Sequence, residues 1–141
     1  MNKISYTLKF CIIGLVLAGC ASVEEVSKTM WGSSTRALEA ARTEAASKIF
    51  EGNYEECFRE VLKTADLEKW TVFVREKTKQ HIVLMGIKGQ VSTTEVGVFF
   101  SELNDGGVKV DVTSLSSNAK MKVANILFKQ LADVFKERAA S

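Results

Sequence analysis

At Trp70 the hydrophobic pattern of this 141-residue chain changes from a helical period to a strand-like one, and that switch restricts the folds open to it. Just upstream, Tyr54, Cys57, Phe58, Val61, Leu62 and Ala65 recur with helical spacing and make one apolar face. Asn53 is a good N-cap and Glu56 stands three residues on, a variant of the capping box, so the helix is predicted from there to about Leu67. Downstream, Trp70–Arg75, His81–Ile87, Glu95–Leu103 and Val108–Thr113 read as strands. They are separated by Lys77-Thr78-Lys79-Gln80, by a connection carrying Gly86 and Gly89, and by Asn104-Asp105-Gly106-Gly107. In the last strand Val108, Val110 and Val112 face one way, Lys109 and Asp111 the other. Strands so closely spaced predict an antiparallel meander with one face covered.

The cover is a closing helix predicted from about Ser117 to Arg138, with Ser116 or Ser117 as its cap. Its stripe of Val123, Ile126, Leu127, Leu131, Val134 and Phe135 suits a sheet face, while Lys120, Lys122, Lys129, Lys136 and Glu137 are solvated. Ahead of the meander, the Ala-, Glu- and Arg-rich stretch from Thr35 to about Ala46 is predicted helical, and Lys48–Glu51 a short strand. Without the first helix, the element order is one strand, a helix, four strands and a long helix. Over roughly residues 48–138 this order resembles the β-α-ββββ-α arrangement of TBP-like and helix-grip domains. The resemblance implies an α+β fold, an antiparallel sheet covered by the C-terminal helix. Such domains occur in bacterial lipoproteins, including a component of the outer-membrane barrel-assembly machinery. Fold likeness does not carry function with it.

The N-terminus is of another kind. Lys3 and Lys9 make it positive, no acidic residue occurs before Glu24, and the apolar stretch Phe10–Ala18 is short. A bilayer-spanning helix needs about 20 apolar residues, so residues 1–19 read as an export signal. Leu17-Ala18-Gly19-Cys20 resembles the bacterial lipobox. The resemblance implies cleavage between Gly19 and Cys20, a thioether-linked diacylglycerol on Cys20, and a further acyl chain on the new amino terminus. Two or three chains hold a protein stably on a membrane, where one holds only marginally. Ala21 is not the aspartate that retains such proteins in the inner membrane, so the likeness points to the outer membrane, facing the periplasm. Residues 20–34 form the lipidated tether, with Trp31 either in the lipid interface or docked on the domain, and residues 35–141 a single domain.

Processing also resets charge and thiol content. Without Lys3 and Lys9 the 19 basic residues become 17, equal to the 17 acidic ones, so a neutral mature chain argues against nucleic acid as a partner. Cys11 leaves with the signal and Cys20 is consumed, which makes an intramolecular disulfide impossible. Cys57 is then a buried core residue, or else a reactive thiol or an intermolecular bridge.

Catalytic patterns are sparse. Ser117-Asn118-Ala119-Lys120 matches S-x-x-K, yet the companion S-D-N and K-T-G elements of the penicillin-binding enzymes are missing and a capping role accounts for Ser117. His81 is the one histidine, too few for the usual soft metal-ligand set, and neither metal nor cofactor is expected. Glu55 and Glu56 complement a helix dipole, and Glu95, opening a strand, is a single carboxylate, which is not an acid–base mechanism. Gly86-Ile87-Lys88-Gly89 is a loop, not a phosphate cradle. Arg75, Lys77, Lys79, His81 and Lys88 group in sequence, either to meet anionic headgroups or to blunt a sheet edge. The expected function is a non-enzymatic interaction or assembly module, held on the membrane through Cys20 and docking on an envelope protein. The alternative is a binder of a small apolar ligand or lipid between the closing helix and the sheet, using Phe99, Phe100, Phe128 and Phe135.

Overall fold

A computed structural model describes residues 34–138. The export signal, Gly19, Cys20, Trp31 and the tether up to residue 33 lie outside the described residues. Residues 34–40 are helical (α1) and run into a 3-10 turn, Ala41–Glu44. The chain continues as β1 (Ala46–Glu51), α2 (Tyr54–Leu67), β2 (Thr71–Glu76), β3 (His81–Met85), β4 (Val96–Glu102), β5 (Gly107–Thr113), α3 (Ser117–Val134) and β6 (Lys136–Arg138). The strands form one six-stranded antiparallel sheet in the order β2-β3-β4-β5-β1-β6. The fold is α+β, with the C-terminal helix packed on the sheet as the element order implies.

One face of that sheet meets both α2 and α3. Val108, Val110 and Val112 of β5 and Phe50 of β1 point to this side, against Cys57, Phe58 and Val61 of α2 and Val123, Leu127 and Leu131 of α3. All of these are essentially buried. Asn53 caps α2, its side chain accepting from the Glu56 N–H at 2.9 Å. The other end of α2 closes with a Schellman motif, Trp70 N–H to Ala65 C=O at 2.8 Å and Lys69 N–H to Asp66 C=O at 3.2 Å. The left-handed residue of this motif is Lys69, at φ 60°, where glycine is the unstrained choice. Lys69→Gly is expected to raise stability by about 0.5–1 kcal/mol, the lost left-handed strain minus the added freedom of the unfolded chain. A higher urea midpoint at constant slope is the check.

Three expectations are corrected. Helical backbone stops at Glu44 rather than Ala46, because β1 takes up Ala46 and Ser47 and pairs along its whole length with β5, from Ala46↔Val112 to Glu51↔Gly107. Ladder bonds there outweigh the helix preference of alanine. α3 ends at Val134, not Arg138. Phe135 turns extended, its ring lying where a Cβ on Gly52 would come within 2.8 Å, and Lys136–Arg138 pairs with the open edge of β1. Lys48 Nζ, 2.8 Å from Glu137, fastens this short strand. Finally, the sheet is not covered on one face alone. Leu38 of α1 packs with Val83 and Phe99 on the opposite side, flanked by Phe73 and Val74.

Candidate docking surface

Adjacent residues of a strand face opposite ways, and that pleat sends Phe99 and Phe100 to different sides of the sheet. Phe100 joins the main core, 5.6 Å from Tyr54 and 5.5 Å from Phe58 between ring centroids. Phe128 lies 6.2 Å from Phe50, and Phe135 belongs to the same buried cluster. Phe99 is on the other face, stacked on His81 at 5.5 Å and lying 5.0 Å under the Arg42 guanidinium. The quartet is therefore not one ligand-facing group. Phe100, Phe128 and Phe135 are core, and Phe99 belongs with α1.

That second face holds a buried charge that periodicity did not reveal. Asp111 is 2 % exposed, on the side of β5 away from the valines. Its Oδ2 accepts from Arg42 Nη2 at 2.9 Å and Nε at 3.3 Å, and its Oδ1 from Ser47 Oγ at 2.6 Å. Lys109 Nζ is 3.3 Å from the same carboxylate, and Arg42 also donates to Ser101 Oγ at 3.1 Å. Burial pushes the Asp111 carboxyl up. Hydrogen bonds from Ser47 and Arg42, with the Lys109 charge, outweigh that and hold it below its ordinary value. A carboxylate so fully engaged is a poor base and a good clamp. It fixes residues 42–47 to the middle of the sheet. An Asp in a valine strand and an Arg among alanines were the available hints, but 69 positions separate them.

The other motifs resolve simply. Ser116, not Ser117, caps α3, accepting from the Ala119 N–H at 3.3 Å. Lys120 Nζ donates to the Glu44 carbonyl at 2.6 Å, which gives the S-x-x-K lysine a structural partner. Cys57 is fully buried, and burial, helped by the Glu56 charge, pushes its thiol up to about 11. It is a core residue, not a reactive thiol. Burial raises the Glu95 carboxyl, whose backbone carbonyl accepts from Ser114 Oγ at 2.6 Å. Gly86 and Gly89, both at positive φ, shape the β3–β4 loop. Among the described residues no group of three or more His, Cys, Asp or Glu is placed to hold a metal ion.

The basic cluster of the sequence is divided. Arg75 and Lys77 lie at the β2–β3 turn, His81 stacks under the second face, and Lys88 sits in the loop at the opposite end of β3. What replaces it is a cleft of about 190 Å³ between α2 and β2, lined by Glu55, Phe58, Arg59, Leu62, Arg75 and Lys77. Phe58 forms its floor, with the Arg75 guanidinium 5.9 Å from the ring centroid. Lys77 Nζ is 2.6 Å from Glu55 Oε2, which leaves Arg59 and Arg75 as the surplus charge. Arg59 reaches the cleft from α2, a helical residue with no sequence signal that marks it as part of a site. The strand beside it, β2, is an edge of the sheet and bulges between Val72 and Val74. No protein-family model matches the chain, and comparison with curated proteins yields no match either.

Proposed function

We propose that the chain is an exported lipoprotein, anchored through acylated Cys20 in the outer membrane and facing the periplasm, whose domain is a docking module without catalytic chemistry. The sequence argument for the anchor is the run from Lys3 to Cys20. Among the described residues no helix is long and apolar enough to cross a membrane. The single observation that carries the docking reading is the Arg59–Arg75 cleft against the open edge of β2. A partner segment in extended conformation adds to such an edge through its backbone, while acidic side chains meet Arg59 and Arg75. Nothing favours the carrier reading comparably, since the aromatics suggested for it are core or lie on the other face.

The test is a photoreactive residue in place of Val72, on the edge, in the full lipoprotein in living cells. A discrete adduct that disappears with Arg59→Glu and Arg75→Glu, while membrane retention persists, is expected. An adduct indifferent to both reversals, or none at all, contradicts the docking site.

A further inference from the structure

The two ends of the sheet differ in kind. β1 begins, β3 ends, β4 begins and β5 ends on one side, as the pairs Ala46↔Val112, Gly97↔Thr113 and Thr71↔Met85 require. α2 ends and α3 starts there too, because they connect to Thr71 and Thr113. Leu67, Val91, Leu115 and Met121 all fall at this near end, and they are 62 %, 70 %, 81 % and 48 % exposed. The Ser114–Glu95 bond and the contact of Lys122 Nζ with the Lys88 carbonyl hold the β3–β4 loop against the start of α3. At the far end the turns Lys77–Gln80 and Asn104–Gly106 are polar, and among the described residues Val134 is the large apolar residue exposed on that side. Scattered single apolar residues need no explanation, but grouping at one pole does.

We propose that this near end, led by Val91, Leu115 and Met121, rests on the phospholipid surface. The inference relies on the Cys20 anchor. Thirteen residues lie between Cys20 and Ser34, and the fourteen Cα–Cα steps, at most about 3.5 Å each, keep the domain within roughly 50 Å of the bilayer. Confinement on that scale makes a weak second contact effective, so a few apolar tips suffice where a free protein would need a larger patch. Lys88 lies in the loop of Val91, and Lys120 and Lys122 flank Met121 at the start of α3, each of these two with its ammonium also against a backbone carbonyl. Long lysine stems lie along apolar surface while the ammonium meets phosphate, the arrangement a lipid interface selects. The near end thus fits a headgroup layer. With that end down, the β2 edge and its cleft stand along the side of the domain, open to a partner.

The experiment uses the full lipoprotein in phosphatidylethanolamine–phosphatidylglycerol vesicles, with an environment-sensitive fluorophore on Leu115→Cys or, at the far end, on Thr78→Cys. Buried Cys57 and thioether-blocked Cys20 leave the new thiol as the labelling site. Quenching by a headgroup-borne spin label is expected to be several-fold stronger at position 115 than at 78, and to fall when Val91→Asp and Met121→Asp are added. Equal quenching at both positions in protein that floats with the vesicles overturns the proposal and leaves the anchor standing. Energy transfer between labelled copies without lipid quenching assigns the end to a second copy, and also overturns it. Protein of unmodified mass at Cys20 that does not float removes the anchor reading and this one with it.

Discussion

Phe50→Ala is expected to lower the stability of the domain by about 3–5 kcal/mol, the largest effect of any single truncation considered for this chain. Phe50 is fully buried in β1, opposite Val108, with its ring against Phe128 of α3. It therefore joins the strand that completes the sheet to the helix that covers it. Removing the ring forfeits its transfer energy and leaves a cavity between layers that the sheet backbone cannot close. A domain of this size has about 5–15 kcal/mol in total, so the variant sits close to unfolding at physiological temperature. Urea unfolding at constant slope checks the value. On the proposed anchor reading, lipidation in cells is expected to be unchanged, while the domain itself is lost to proteolysis. A loss below 1 kcal/mol would contradict the packing described for β1 and α3.

The second large effect is asymmetric. Arg42→Ala is expected to cost about 3 kcal/mol, and Asp111→Ala only about 1–2 kcal/mol, although both break the same pair. The reason is what each leaves behind. Without Arg42, the Asp111 side chain, 3 % exposed, keeps Ser47 and Lys109 but loses both donors to its Oδ2. Without Asp111, Arg42 is already 32 % exposed and turns to water at small cost. The wild-type pair also makes stability pH-dependent. The folded pKa of Asp111 lies below the unfolded value of about 3.9, so its contribution is complete above that value and is lost as pH falls through the folded one. Arg42→Ala is expected to flatten this acid-side loss. Unfolding curves for both variants between neutral pH and pH 2 test the ordering; a costlier Asp111→Ala would mean that Arg42, not Asp111, carries the buried burden.

Much of the fold was legible because the residues that set it act locally. Asn53 and the helical recurrence from Tyr54 to Ala65 marked α2, and the turn residues at 77–80 and 104–107 delimited the strands. The alternation in β5 correctly separated its valines from Asp111. What was hidden depends on distant parts of the chain. Lys136–Arg138 has no strand character of its own and becomes β6 only because β1 offers a free edge. The alanine-rich stretch yields to β1 for the same reason. Phe99 and Phe100 look equivalent in sequence, and only the sheet orientation sends them to different faces. The residues from Arg75 to Lys88 read as one basic group because a hairpin is short in sequence, yet β3 carries Lys88 to the other end of the sheet. Arg59 gave no hint of a site, since a lone arginine on a helix is ordinary until β2 is placed beside it.

Intact-mass measurement of the mature protein decides whether Cys20 carries the proposed anchor. The mature protein is expected to begin at Cys20 and to carry the mass of a diacylglyceryl group, with or without one further acyl chain. Cys20→Ser is expected to abolish both the added mass and the cleavage. A full-length chain, or one cut elsewhere and free of lipid, would contradict the anchor.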